Sequence, residues 1–297
     1  MLVNRANLTA LYTGYKTIFN GAFEGVKPVW NRVAMDVPST TSQEVYAWLG
    51  QIPGFREWIG DRVIQNLKQY DYTIKNKKFE STLGVLRDNI EDDTYGIFNP
   101  LFGEMGRLSA VHPDELVFGL CKNGFTSLCY DGQYFFDTDH PVVNADGSAG
   151  TWSNHGGGAG TPWFLLDTTR AVKPLIRQKR RDYSFRAMTD LNDDKVFMTD
   201  QFLFGVDGRS NAGFGLPQLA YGSKQPLDVA AYATGRAQMG SLKGDNGRPL
   251  GVMPNLLVVP PSLEKAGLEV LKAQRNAAGA DNVYAGTAEL LVVPWLA

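Results

Sequence analysis

Hydrophobic positions follow two periods along this chain. Between Arg62 and Ile90 the period is two. Tyr70, Tyr72 and Ile74 alternate with polar residues, and Phe79, Leu83 and Val85 do so again, with Ser81 in the same phase. The phase slips between Ile74 and Phe79, which predicts two long strands reversing near Lys75-Asn76-Lys77-Lys78; a turn at Lys68–Asp71 is the alternative. A strand of about twelve residues spans ~40 Å, whereas a compact chain of this length has a radius of gyration of only ~19 Å. The expected hairpin therefore crosses the whole body or projects from it. A lone two-stranded hairpin with a lysine-rich tip is marginal in water. It is expected to complete its packing on another molecule, with Lys68, Lys75, Asn76, Lys77 and Lys78 as the contact residues.

From Asp92 to Asn123 the period becomes helical. Leu101, Met105, Leu108 and Val111 make one apolar stripe, and Leu116, Val117, Leu120 and Cys121 continue it. Asp92 and Asp93 place negative charge at the expected start, where the helix dipole favours it. Pro113 predicts a kink or a fresh start, and Gly124 a stop. Upstream, Asn7 to Phe19 fits a short amphipathic helix with Leu8, Leu11, Tyr15 and Ile18 on one face. Residues 1–43 read as an arm with little core of its own, ending in the polar linker Pro38 to Ser42. Aromatic residues at Tyr46 to Leu49 and Phe55 to Ile59 are expected to anchor the base of the hairpin.

Downstream, Phe125 to Phe136 reads as a strand pair around Asp131-Gly132. The glycine-rich stretch Asn144 to Gly160, with almost nothing apolar except Trp152, reads as a mobile surface loop. Strands are expected at Trp163 to Leu166, Lys195 to Met198, Phe202 to Val206, Asn255 to Val259 and Ala288 to Val293. Helices are expected at Leu227 to Leu242 and from a Ser262 cap to about Arg275, with Leu263, Ala266, Val270 and Leu271 inward. Buried strands covered by helices make an α/β-like second domain.

Composition narrows the picture. The chain has 297 residues with 43% hydrophobic, enough for an ordinary core, and a formal net charge of −2. That balance is not that of a dedicated nucleic-acid binder. It suits a protein packing against many copies of itself, since a large net charge would make like copies repel. Two cysteines, Cys121 and Cys129, do not form a disulfide framework and read as buried free thiols of a reducing cytoplasm. No run approaches a membrane span and no signal pattern opens the chain.

Candidate chemistry is sparse. Asp137, Asp139 and His140 are close in sequence but match no metal pattern, and a turn before Pro141 explains them. Glu91, Asp92 and Asp93 have no partner base or nucleophile in view. Gly205 to Gly215 reads as a glycine-rich loop, without phosphate-loop spacing. It is the one support for the alternative of an α/β nucleotide- or sugar-phosphate-binding enzyme. No catalytic residue, cofactor or metal is assigned. The basic run Lys173, Arg177, Lys179, Arg180, Arg181 and Arg186 is a solvated or inter-subunit face; the alternative is contact with DNA or acidic neighbours without sequence readout.

The residues that carry most information form ordered blocks. They include Asn76-Lys77-Lys78-Phe79-Glu80-Ser81-Thr82-Leu83-Gly84-Val85, Arg87 to Asp93, Glu104-Met105-Gly106-Arg107 and Ala110-Val111-His112-Pro113-Asp114-Glu115-Leu116. Cys129-Tyr130-Asp131-Gly132-Gln133, Phe135-Phe136-Asp137 before His140-Pro141-Val142, Arg170 to Ile176 and Phe202 to Gly205 follow. In these blocks the chain resembles the major head proteins of Mu-like transposable phages. The resemblance implies an α+β capsid fold of the HK97 type: an N-terminal arm (1–43), an extended hairpin and its base (44–93), a peripheral domain with a spine helix (94–143) and an α/β axial domain (144–297), the last strand belonging to either domain. It implies a virion structural protein assembled in the host cytoplasm. Its copies would form hexamers and pentamers of an icosahedral head around double-stranded DNA. Its partners would be itself, portal, scaffold and decoration proteins, and packaged DNA contacted without specificity, with no membrane. It also places Gly205 to Gly215 near a symmetry axis.

Overall fold

The computed structural model describes residues 2–47, 49, 72–93, 96–275 and 279–297. The elements in chain order are α1 (Arg5–Gly25), β1 (Ala34–Pro38), β2 (Gln43–Val45), β3 (Thr73–Lys75), β4 (Lys77–Leu86), α2 (Arg87–Asp92) and α3 (Asn99–Lys122). Then come β5 (His140–Val143), β6 (Ala149–Trp152), β7 (His155–Gly158), β8 (Trp163–Leu166), β9 (Leu175–Met188), α4 (Asp194–Thr199) and β10 (Gln201–Phe214). The chain ends with β11 (Ala220–Lys224), α5 (Val229–Gly240), β12 (Leu256–Val259), α6 (Glu264–Leu271) and β13 (Glu289–Val292).

Two sheets organise these elements. The first has the order β1-β9-β10-β4, with β1 parallel to β9 and the rest antiparallel. Its inner face carries Phe185, Phe202, Phe204 and Val206, which pack under α1 and the first half of α3. Tyr15 stacks on Phe102 at 4.0 Å, and Phe102 meets Phe204 edge-on at 5.1 Å. Burying Phe19, Phe102 and Phe204 stabilises this layer by roughly 1.5–3 kcal/mol each. The second sheet has the order β13-β12-β8-β11-β7. Successive residues of β8 point to opposite faces: Phe164 and Leu166 meet Val117, Phe118 and Cys121 of α3, while Trp163 and Leu165 share a core with Tyr232 of α5 and Val270 of α6. With both faces covered, β8 and β12 are buried at every position.

β10 joins the two bodies. Its fourteen residues span about 45 Å. Phe202 to Val206 lie in the first core, and Phe214 stacks on Phe135 in the second at 4.4 Å.

Several expectations are corrected. There is no reversal at Lys75–Lys78. β3 pairs with β2, β4 pairs with β10, and the single residue Asn76 separates them. The slip in periodicity marks a strand changing partners, not a turn. The alternative turn at Lys68–Asp71, Trp48 and the cluster Phe55 to Ile59 lie outside the described residues. The N-terminal segment is not an arm without a core: Asn4 caps α1 by accepting from Asn7 N at 2.9 Å, and Leu8, Tyr15 and Phe19 are fully buried in the chain itself.

The long helix starts at Asn99, not Asp92. Asp93 instead accepts from Gly96 N and Ile97 N in the turn between α2 and α3. Pro113 lies inside α3. The buried stripe is Phe102, Met105, Ser109, Ala110, Pro113 and Val117, whereas Leu101 and Leu108 are about half exposed. The strand pair at Phe125 to Phe136 shrinks to one bridge, Leu128 with Tyr134, around Gly132 at φ +86°. Asn144 to Gly160 holds β6 and β7 rather than forming a loop. Lys195 to Met198 is helical, inside α4. Ser262 does not cap α6, which starts from Leu263 without a side-chain cap.

Candidate functional site

The lysine stretch is exposed, but its centre is tied into the sheet. Asn76 donates through Nδ2 to Ser39 Oγ at 2.7 Å and to the Thr41 carbonyl at 3.0 Å, and its Oδ1 accepts from Gln178 Nε2 at 2.9 Å. Its backbone N–H donates to the Ser42 carbonyl. Gln178 is fully buried and also donates to the Ile74 carbonyl at 3.0 Å. Asn76 is therefore a fixed pivot rather than a hairpin tip. Lys75, Lys77 and Lys78 flank it with exposed side chains, and the Lys75 carbonyl accepts from Asn211 Nδ2 at 2.7 Å. Lys68 lies outside the described residues.

The basic run occupies β9 and its approach, and most of it is used within the chain. Arg177 is 8% exposed, reaches Asp36 at 3.2 Å and lies over the Trp30 ring at 4.6 Å, so it is not free to meet DNA. Lys173 donates to the Asn31 carbonyl, and burial pushes its ammonium pKa down. Lys179 sits between Asp36 and Asp182 at 3.8 and 3.6 Å. Arg181 pairs with Asp207. Arg180 is exposed, with only a long 3.5 Å contact to the Ser39 carbonyl. Short-range sequence could not show this sorting, because it depends on Asp36 and Asp207 arriving from other strands.

Gly205 to Gly215 is not a loop. Its glycines sit in β10 and at its end, where a side chain would collide with neighbours. A Cβ on Gly208 would lie 2.7 Å from the Tyr183 ring, and one on Gly213 would lie 2.0 Å from Ile74 Cδ1. These glycines let β10 pass under other side chains, and the phosphate-binding reading loses its only support.

Asp137, Asp139 and His140 do not converge. Asp137 accepts from Tyr134 N and Thr138 N in a turn. His140 instead reaches Asp131 Oδ2 through Nδ1 at 2.7 Å and Asn154 Oδ1 through Nε2 at 3.3 Å. Cys129 donates its thiol to Asp131 Oδ1 at 3.0 Å. Among the described residues Cys129, Asp131 and His140 are the one group with converging ligand atoms. Burial pushes the Cys129 thiol up, so it keeps the proton that it donates. Burial also works to raise the Asp131 carboxyl, but hydrogen bonds from His140 and Cys129 outweigh it and hold it below the usual carboxylate range. With Asn154 Nδ2 donating to the Phe135 and Pro217 carbonyls, this network staples the 129–133 turn to the start of β5 and to β11's approach.

The sequence did not reveal the far end of the first sheet. There β9 passes through α4 into β10, and Phe197 and Met198 are 80% and 79% exposed. Their spacing reads as a strand core. Only the packing of Val196 inward turns the next two residues out.

The geometry is that of a building block: long shared strands, charged and apolar exposed ends, and no assembled catalytic group among the described residues. The fold matches a chain of the procapsid of bacteriophage JBD30 with a TM-score of 0.86 and 46% identity, covering 99% of this chain and 100% of that one. A chain of the JBD30 capsid decorated with minor capsid protein trimers matches with a TM-score of 0.80 and 35% identity over 92% of each. The fold is thus the α+β, HK97-type fold of tailed-phage capsid proteins. The major capsid protein of Escherichia phage Mu is 44% identical over 305 residues, covering 100% of both chains. The model of the family described as Mu-like prophage major head subunit gpT matches residues 8–296, and the chain belongs to that family. It is a structural capsid protein of the phage head, not an enzyme, and its place is the virion. No helix among the described residues is long and apolar enough to cross a membrane.

Proposed function

We propose that copies of this chain associate as hexamers and pentamers that close into an icosahedral shell around double-stranded phage DNA. The observation that carries this reading is the match of 99% of the chain to a procapsid subunit. α3 with the first sheet forms the peripheral domain, which draws β9 and β10 away from the 144–297 segment expected to be axial, and the second sheet with α5 and α6 forms the axial domain of each capsomer. Lys75, Lys77 and Lys78 contact a neighbouring copy. Arg180 and Arg186, exposed and without an ion pair among the described residues, are the residues of the basic run available to packaged DNA or to an acidic neighbour. Minor capsid, scaffold and portal proteins bind the assembled shell.

Closed shells favour many modest contacts. One worth ~4 kcal/mol corresponds to a millimolar dissociation constant, so misplaced copies leave before closure while several contacts together give a durable particle. The test is expression of the full chain with the head-assembly proteins of its own genome, followed by sedimentation and negative-stain microscopy. Closed particles with pentameric vertices are expected. A chain that stays monomeric under those conditions and binds a small phosphate ligand saturably would overturn the reading.

A further inference from the structure

The two ends of the first sheet differ in chemistry. At one end, Phe197 and Met198 project from α4, and Leu86, paired with Gln201, is 46% exposed beside them. The segments 87–93 and 190–200 around this tip carry eight carboxylates and two cations. At the start of β4, Lys77 and Lys78 are exposed together with Arg180 of β9 and with Lys75 of the adjoining β3, and none forms an ion pair among the described residues. The register from Leu86 to Lys77 separates the ends by about 30 Å.

An exposed phenylalanine and methionine on adjacent positions, rimmed by carboxylates, form an unpartnered apolar patch with a polar rim, as interaction sites do. The rim charge selects a basic partner, and the chain offers a basic surface of its own where β4 starts and β3 adjoins it. Because the two patches lie at opposite ends, a molecule cannot satisfy one with the other. A second copy can. We propose that the acidic, apolar tip of one copy seats on the lysine-rich end of the same sheet in a second copy, head to tail. Such a heterologous contact propagates or closes into a ring. This inference rests on the shell reading and assigns partners to Lys75, Lys77 and Lys78.

The test compares four full-length chains co-expressed with their head-assembly proteins. One is unchanged, one carries Asp190→Lys with Asp194→Lys, one carries Lys77→Glu with Lys78→Glu, and one carries all four substitutions. Each reversal alone should cut particle yield roughly tenfold, more severely at low salt than at high salt. The fourfold chain restores complementarity and should recover to within about threefold of the unchanged chain. A fourfold chain no better than either half would overturn the proposal. A second measurement is independent of yield. Met198→Cys combined with Lys78→Cys should give covalent oligomers with a short bis-maleimide, and neither single variant should, since Cys121 and Cys129 are buried. Intact particles without such oligomers would also overturn it. Particles from the unchanged chain alongside failed rescue sink the head-to-tail contact alone; absence of particles from the unchanged chain sinks the shell reading with it.

Discussion

Gly106 tests how α1 is held on α3. A Cβ built there would lie 2.3 Å from the Phe19 carbonyl oxygen and 3.1 Å from its carbon. The obstacle is backbone, so no side-chain rotation relieves it, and α1 must move. That helix is anchored by Leu8, Tyr15 and Phe19, each 2% exposed. Gly106→Ala gains about 0.5–1 kcal/mol of helix propensity. Overpacking of a filled core costs about 1–3 kcal/mol, and a rigid backbone obstacle puts this case toward the upper end. The expected net effect is a loss of roughly 1–2 kcal/mol. Two other glycines of α3 serve as internal controls. At Gly103 the nearest atom is Ile18 Cγ2 at 3.7 Å, an ordinary contact, and at Gly119 nothing lies within 4 Å. Gly119→Ala should therefore stabilise by about 0.5–1 kcal/mol, and Gly103→Ala should be neutral to stabilising. Denaturant midpoints of the unassembled subunit separate the three, and amide exchange in α1 should quicken only in Gly106→Ala. A Gly106→Ala protein as stable as Gly119→Ala, with α1 equally protected, would refute the reasoning.

Asp114 is buried and accepts from Val29 N at 2.9 Å and Trp30 N at 2.7 Å. Asp114→Ala should strand both donors and lower the denaturation midpoint by the equivalent of about 1–3 kcal/mol. Asp131 is held below its ordinary pKa, so its contribution to stability is complete above the unfolded value of about 4 and fades as pH falls through the lower folded value. The stability gap between the native chain and Asp131→Asn should accordingly be constant near neutrality and narrow below about pH 4, as read by acid titration of unfolding. A gap that widens with acid would contradict the network. Both thiols are buried, and burial pushes each one's pKa up, so neither should react with a thiol-specific reagent at pH 8 until the chain is unfolded.

The sequence alone determined the parts governed by neighbours along the chain. Trp163 to Leu166 follows Pro162 and Asn255 to Val259 lies between Pro254 and Pro260; both are short apolar runs, and both hold strands buried on two faces. Leu227 to Leu242 has helical spacing, and α5 occupies it. The ordered motif blocks were sufficient to place the chain in its family. The tertiary structure decided whatever depends on partners distant in sequence. A slip in period-two patterning means either a turn or a change of strand partner, and Asn76 becomes the second only because Ser39, Thr41 and Gln178 meet there. Glycines at 205–215 look like a loop until Tyr183 and Ile74 are seen to need their space. Leu101 and Leu108 fit the same helical stripe as Met105, but α1 packs on the adjacent face, which turns them outward. The basic run is continuous in sequence, yet Asp36 and Asp207 neutralise part of it from other strands and leave Arg180 exposed. Local period and propensity act over a few residues, whereas side-chain burial and ion pairing are settled by which surfaces the fold brings together.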